Sequence, residues 1–169
     1  MISFLSKMRE AGSSPPRAAL DQIMWSWVGS ATAIGAIAYA AYVTQLPLLF
    51  APLGASAVLA FAVSASPLAQ PRNIIGGHLV SAIVGLMFLL LLGNIWWVMP
   101  LAVATAIAAM LFTKTVHPPA GANPLIILVA GSSWDFIFLT VLPGVLLITF
   151  CAVIFNNLGK KGNYPLYWW

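Results

Sequence analysis

TKTVHPPAGANPLI, residues 113–126, sets one lysine, one histidine and three prolines into an otherwise apolar or small-residue run, in a chain where only 6% of residues are charged. Proline has no N–H and pushes the residue before it toward extended geometry, so Val116-His117-Pro118-Pro119 should not be helical. Gly121 then permits tight backbone geometry, and a helix is expected to begin near Ala122. The same pattern stands earlier. Pro52-Leu-Gly-Ala-Ser-Ala-Val-Leu59 and Pro119-Ala-Gly-Ala-Asn-Pro-Leu-Ile126 share proline, glycine, alanine and a small polar residue at an offset of 67. Continued without a gap, that offset pairs Gly77 with Gly144 and Leu79 with Leu146, and reads as an internal duplication.

The surroundings of these breaks are lipid-like. Of 169 residues, 62% are apolar and mean hydropathy is +0.99, more apolar surface than a soluble domain of this size hides. Apolar segments run over 23–45, 46–66, 74–93, 95–113, 117–131 and 135–156. Segments one, three, four and six are long enough to cross as plain helices. The fifth, with about 14 residues, gives roughly 21 Å of helix against a hydrocarbon core of about 30 Å. An extended lead-in of five or six residues adds about 16–20 Å and lets segments two and five cross as well. With six crossings and the N-terminus inside, Lys7, Arg9, Arg17, Arg72, Lys114, Lys160 and Lys161 fall on the cytoplasmic side and Asp135 on the other. All seven tryptophans lie at or beyond segment ends.

The expected fold is therefore an all-α membrane protein of six transmembrane segments, two of them discontinuous, in one domain over 23–156. Repeat one covers 23–93 and repeat two 95–156. An odd number of segments per repeat inverts the second half about an axis in the membrane plane, the architecture of many secondary transporters. Residues 1–22 form a cytoplasmic segment, read as a surface helix, and 157–169 a cytoplasmic tail. Small residues at Gly29, Ala33, Ala36 and Ala40, and at Ala102, Ala106 and Ala109, are read as close helix packing. The exposed lateral surface of so small a bundle points to a homo-oligomer in contact with membrane lipid.

In an inverted repeat the two helix starts, near Ala55 and Ala122, converge at midplane with unpaired N–H groups and positive dipole ends. Ser56 and Asn123 are expected to cap them or add donors. Converging starts make an anion site without a buried carboxylate. The expected binding residues are Gly54, Ala55, Ser56, His117, Pro118, Pro119, Gly121, Ala122 and Asn123, with Arg72, His78 and Lys114 at the path or mouth. Only His117 and His78 offer themselves as proton carriers within the membrane. No nucleophile–base pair, carboxylate pair or metal-ligand cluster stands out, and no cofactor or metal is expected. Cations are too scattered for nucleic acid, and the single Cys151 excludes a disulfide framework.

At His117-Pro118-Pro119 the chain resembles the HPP family of small integral membrane proteins. Pro-Leu-Gly-Ala-Ser at 52–56, Pro-Leu-Ala-Gln-Pro-Arg-Asn at 67–73 and Gly-Gly-His-Leu at 76–79 extend the resemblance over about 23–156. The Tyr-Pro-Leu-Tyr-Trp-Trp tail is similar to that of cyanobacterial members, which implies a bacterial inner membrane. The resemblance implies a membrane protein with plant plastid relatives linked to nitrite transport. Four helices is the usual description of the family; six crossings depart from it because broken segments escape hydropathy. The expected function is thus a transporter or channel for a small monovalent anion, nitrite by resemblance. The alternative is a membrane scaffold or accessory subunit.

Overall fold

The computed structural model describes residues 13–158 and 163–168, and among these every regular element is helical. Six helices are present: α1 (Leu20–Thr44), α2 (Pro52–Ala62), α3 (Pro71–Leu92), α4 (Val98–Phe112), α5 (Pro118–Ala130) and α6 (Ile137–Leu158). Only α1, α3 and α6 are long and apolar enough to cross a membrane by themselves. Segment four, expected as a plain crossing helix over 95–113, is helical only over 15 residues, about 22 Å. Gly93 (φ 76°) ends α3, and the four residues after it form a bend and turn before α4 starts. The surface helix expected in residues 1–22 lies largely outside the described residues; 13–19 are not helical.

Prolines open the short helices, as their missing N–H and fixed φ favour. Pro52 starts α2 and Pro118 starts α5, whose first turn is 3-10 before α-geometry takes over at Asn123. The starts expected at Ala55 and Ala122 are therefore corrected to positions three or four residues earlier. Neither Gly54 nor Gly121 has a positive φ, so neither makes the tight turn expected of it. Glycine does so at Gly131 (φ 61°), where the Ser132 N–H reaches the Ile127 carbonyl (3.1 Å) and closes α5 with a Schellman motif.

The last five residues of α2, Val58–Ala62, adopt π geometry, and its final carbonyls would be orphaned in an apolar medium. Side chains from both neighbouring helices serve them: Ser26 Oγ donates to Phe61 O (2.8 Å), Gln22 Nε2 to Ala62 O (3.4 Å) and Asn156 Nδ2 to Ala60 O (2.9 Å). Asn156→Leu is expected to cost about 1–3 kcal/mol by leaving that carbonyl unpaired, read as a lower melting temperature in detergent. An unchanged melt would show that the end of α2 is solvated instead.

The first turns of α1 thus lie beside the end of α2, whereas the end of α5 packs at Leu128 against Val98 and Ala102 at the start of α4. The main core joins α1 (Ala33, Ile37), α2 (Leu53, Ala60), α3 (Ile74, Leu86) and α6 (Val141, Val145, Ile148). The small residues expected at helix contacts include Gly29, Ala33, Ala102 and Ala106, all of them buried.

One face of α3 positions the rest. Asn73, Gly77, Ser81 and Gly85 recur every fourth residue and are all buried. The chain from Thr115 to Pro124 runs along this ladder. Asn73 Nδ2 donates to Val116 O (2.8 Å) and Ser81 Oγ to Ala120 O (2.6 Å). A Cβ at Gly77 would lie 2.7 Å from Thr115 O and from His117 Cβ, and one at Gly85 2.8 Å from Pro124 Cα. Gly144 on α6 receives the stretch that leads into α2 in the same way: its Cβ would lie 2.9 Å from Leu53, 3.2 Å from Leu48 O and 3.3 Å from Phe50.

Candidate functional site

Because Pro118 follows it, His117 is extended (φ −139°, ψ 102°) and its side chain projects from the lead-in rather than from a helix. The bare backbone at Gly77 lets that lead-in lie directly on α3, one residue before His78. The two imidazoles come to rest with ring centroids 5.1 Å apart. Ser56, one turn into α2, enters between them. Its Oγ is 2.8 Å from His117 Nε2 and 3.0 Å from His78 Nε2. Asn123, at the head of the α-helical part of α5, meets the far side of His78: its Nδ2 is 3.1 Å and its Oδ1 3.3 Å from Nδ1. All four side chains are 0% exposed.

The partners settle where the protons sit. His117 Nδ1 faces the Leu68 carbonyl at 2.8 Å, which only accepts, so Nδ1 carries the hydrogen and Nε2 accepts. Ser56 then donates to His117 Nε2, and its oxygen accepts from His78 Nε2–H. His78 Nδ1 is left as an acceptor for Asn123 Nδ2, which also donates to the His78 carbonyl (3.0 Å). The result is one directed chain of hydrogen bonds, Asn123 to His78 to Ser56 to His117 to Leu68, with every ring nitrogen paired.

Four of the expected site residues, Ser56, His78, His117 and Asn123, are brought together here. Pro119 is buried beside them, whereas Gly54, Ala55 and Pro118 are exposed and Gly121 and Ala122 half-buried. Lys114 is exposed, and Arg72 Nη2 donates to Thr113 O (3.1 Å) at the end of α4. Two expectations are corrected. Ser56 and Asn123 do not cap helix ends: Ser56 sits inside α2, where its Oγ lies 3.1 Å from Pro52 O, and neither helix has a side-chain cap bond. The first N–H groups are not left open either. Leu53 and Gly54 donate to Phe50 O (3.0 Å) and Ala51 O (3.1 Å), and Ala120 donates to His117 O (2.9 Å). Short helices here begin with 3-10 turns, which consume donors that an α-start leaves free.

The sequence reading finds no nucleophile–base pair, yet the fold makes one, Ser56 with His117, from residues 61 apart. The hydroxyl is fully buried, its oxygen also accepts from His78, and the third group behind His117 is a carbonyl rather than a carboxylate.

Sequence reasoning missed Gln70, Asn73, Ser81 and Leu68. Gln70 is 0% exposed and donates to the Ser64 and Ser66 carbonyls (2.9 Å each), so it shapes the turn that presents Leu68 O. The tail straps the same turn. Tyr164 donates to Ala69 O (2.6 Å), Tyr167 to Pro67 O (3.0 Å), and the Leu166 N–H to Gln70 Oε1 (2.8 Å). Burial pushes the Tyr164 phenol pKa up, which keeps it in the donating form. The four-residue polar and small ladder on α3 was the legible signal for Asn73 and Ser81; nothing in the sequence pointed to a backbone carbonyl.

Comparison with known proteins places this geometry in context. The family model described as "HPP, transmembrane region" matches residues 15–165. A Dictyostelium discoideum transmembrane protein is 38% identical over 183 residues, covering 100% of this chain and 64% of the relative. A second from the same organism is 39% identical over 180 residues, covering 99% of this chain and 58% of its own length. The chain thus spans about three fifths of the curated relatives it matches. No solved structure matches it.

Proposed function

The chain belongs to the HPP transmembrane family and is an integral membrane protein; from that premise we propose that it moves a small monovalent anion, nitrite in the first instance, across the membrane. The observation that carries this reading is the buried cluster where α2 and α5 begin. It is rich in donors (a hydroxyl, two imidazole N–H groups and an amide), holds no carboxylate, and joins residues from both short helices around one histidine. In the closed arrangement these donors satisfy one another. As the helix starts part, they exchange partners for a passing anion, and weak, neutral donors with dipole ends behind them release it again.

Several contacts support an inverted repeat of three and three segments. Ser56 and Asn123 are the small polar members of the motif pair, and they meet opposite nitrogens of His78. Gly77 receives Thr115 and His117, while Gly144 receives Leu48 and Phe50; each pair is related by the same offset of 67. Such reciprocal contacts are what a two-fold axis between halves generates. α2 ends beside the start of α1 and α5 ends beside the start of α4, so the short helices leave the junction toward opposite faces. Arg72 lies against Thr113, next to Lys114, which fits a cytoplasmic face carrying these cations and both termini.

Purified protein in liposomes is expected to pass nitrite faster than protein-free vesicles. Absence of excess flux for nitrite, nitrate, formate and chloride would turn the reading to a scaffold or accessory subunit. Labelling of Ser56 by a serine-reactive phosphonate would turn it to an enzyme.

A further inference from the structure

Two histidines joined through one hydroxyl do more than hold three elements together. A structural pin needs a donor and an acceptor. This chain of bonds has groups that can each give one proton while taking another, and its two ends differ. At the His117 end, Leu68 O at 2.8 Å can only accept, so Nδ1–H is locked. At the His78 end, Asn123 presents both kinds of atom to Nδ1, Nδ2 at 3.1 Å and Oδ1 at 3.3 Å, so this end can hold or lack a proton after a small rocking of the amide.

We propose that His78, Ser56 and His117 form a proton relay, and that the transported anion crosses together with a proton held on these imidazoles. A proton added to His78 Nδ1 stays on that nitrogen, and the new N–H donates to Asn123 Oδ1 (3.3 Å). His78 then gives its Nε2 proton to Ser56 Oγ as the hydroxyl gives its own to His117 Nε2. One N–H and one O–H bond break, one O–H and one N–H bond form, and the positive charge moves from His78 to His117. His78 is left neutral with its hydrogen on Nδ1, and as the helix starts part the proton leaves from His117 Nε2, because Nδ1–H stays bound to Leu68 O. Every ring nitrogen has a partner before and after, so no buried polar group is stranded in transit.

The added charge must be balanced. The titratable or charged side chains on the surrounding elements are Asp21, Tyr39, Tyr42, Arg72, Lys114, Asp135, Cys151, Tyr164 and Tyr167, and none hydrogen-bonds to either imidazole. A buried cation without a carboxylate is costly in an apolar interior, and an anion beside it removes most of that cost. Proton and anion therefore bind cooperatively and travel as a neutral pair. This coupling rests on the anion reading above; the relay itself does not.

The chain has two histidines, so 15N-imidazole spectra of the whole protein in lipid bilayers contain only these two rings. Near neutral pH the expected result is one Nδ1–H ring and one Nε2–H ring. On acidification both should shift together in one step that adds one proton per chain. Ser56→Ala should split this into two unlinked titrations, and Ser56→Thr, which keeps a hydroxyl, should restore the joint step. Two rings in the same tautomer, or independent titrations in the unaltered protein, would overturn the relay; neither measurement needs a variant to fold. For the coupling, the probe is nitrate, whose acid is too strong to leak across lipid as a neutral molecule. An inward proton gradient should speed nitrate entry into proteoliposomes several-fold. Nitrate or nitrite flux indifferent to the gradient overturns the coupling and leaves the anion reading standing. No flux of either, nor of formate or chloride, overturns both, while the spectra still decide the relay.

Discussion

Gly77→Ala is expected to destabilise the protein by about 1–3 kcal/mol and to abolish anion flux, although it adds a single methyl group. The new carbon would sit 2.7 Å from the Thr115 carbonyl and 2.7 Å from His117 Cβ. Neither is the free end of a flexible side chain, so relief requires the whole 113–117 lead-in to lift from α3. That movement draws His117 away from Ser56 and breaks the chain of bonds at its centre. Gly35→Ala in α1 is the matched control: a Cβ there meets nothing within 4 Å and the residue lies outside the site, so stability should not fall and flux should stay near that of the unaltered protein. A melting temperature raised by both would mean that helix propensity, not the close approach, decides.

His117→Ala should destabilise more strongly. Truncation leaves the Leu68 carbonyl and the Ser56 hydroxyl without their partner and opens a void in a fully buried site. Unpaired groups cost about 1–3 kcal/mol each, and truncation of a large buried side chain adds a cavity cost of similar size. The expected total is at least about 3 kcal/mol, measured as unfolding in detergent. Flux in protein that still folds should fall at least about tenfold, the factor set by ~1.4 kcal/mol of barrier. Wild-type flux in folded His117→Ala protein would remove the cluster from the transport path.

Much of this site was legible without coordinates, but for uneven reasons. The breaks at Pro52 and at Pro118-Pro119 follow from the local chemistry of proline, and the structure places the helix starts there within a few residues of expectation. Ser56, Asn123, His78 and His117 could each be singled out as polar residues with no ordinary place in an apolar run. What they do could not be read off. Ser56 and Asn123 looked like caps because caps are local; they instead reach across to a third helix. The fourth segment looked like a full crossing because hydropathy does not register the turn at 94–97 that precedes α4.

Composition and proline placement by themselves determined that lipid is the main solvent of this chain, that its elements are helices, and that two of them open on prolines. Those are properties of the backbone and of average side-chain polarity, and they act over a few residues. Only the tertiary structure decided that these two helices share one histidine and that a serine bridges it to another. That outcome depends on how closely the 115–124 stretch approaches α3, which the Gly77 and Gly85 contacts set across more than thirty residues of intervening chain. Hydrogen-bond polarity was decided the same way, because a carbonyl at Leu68, fixed by a turn remote in sequence, dictates which nitrogen of His117 carries the hydrogen.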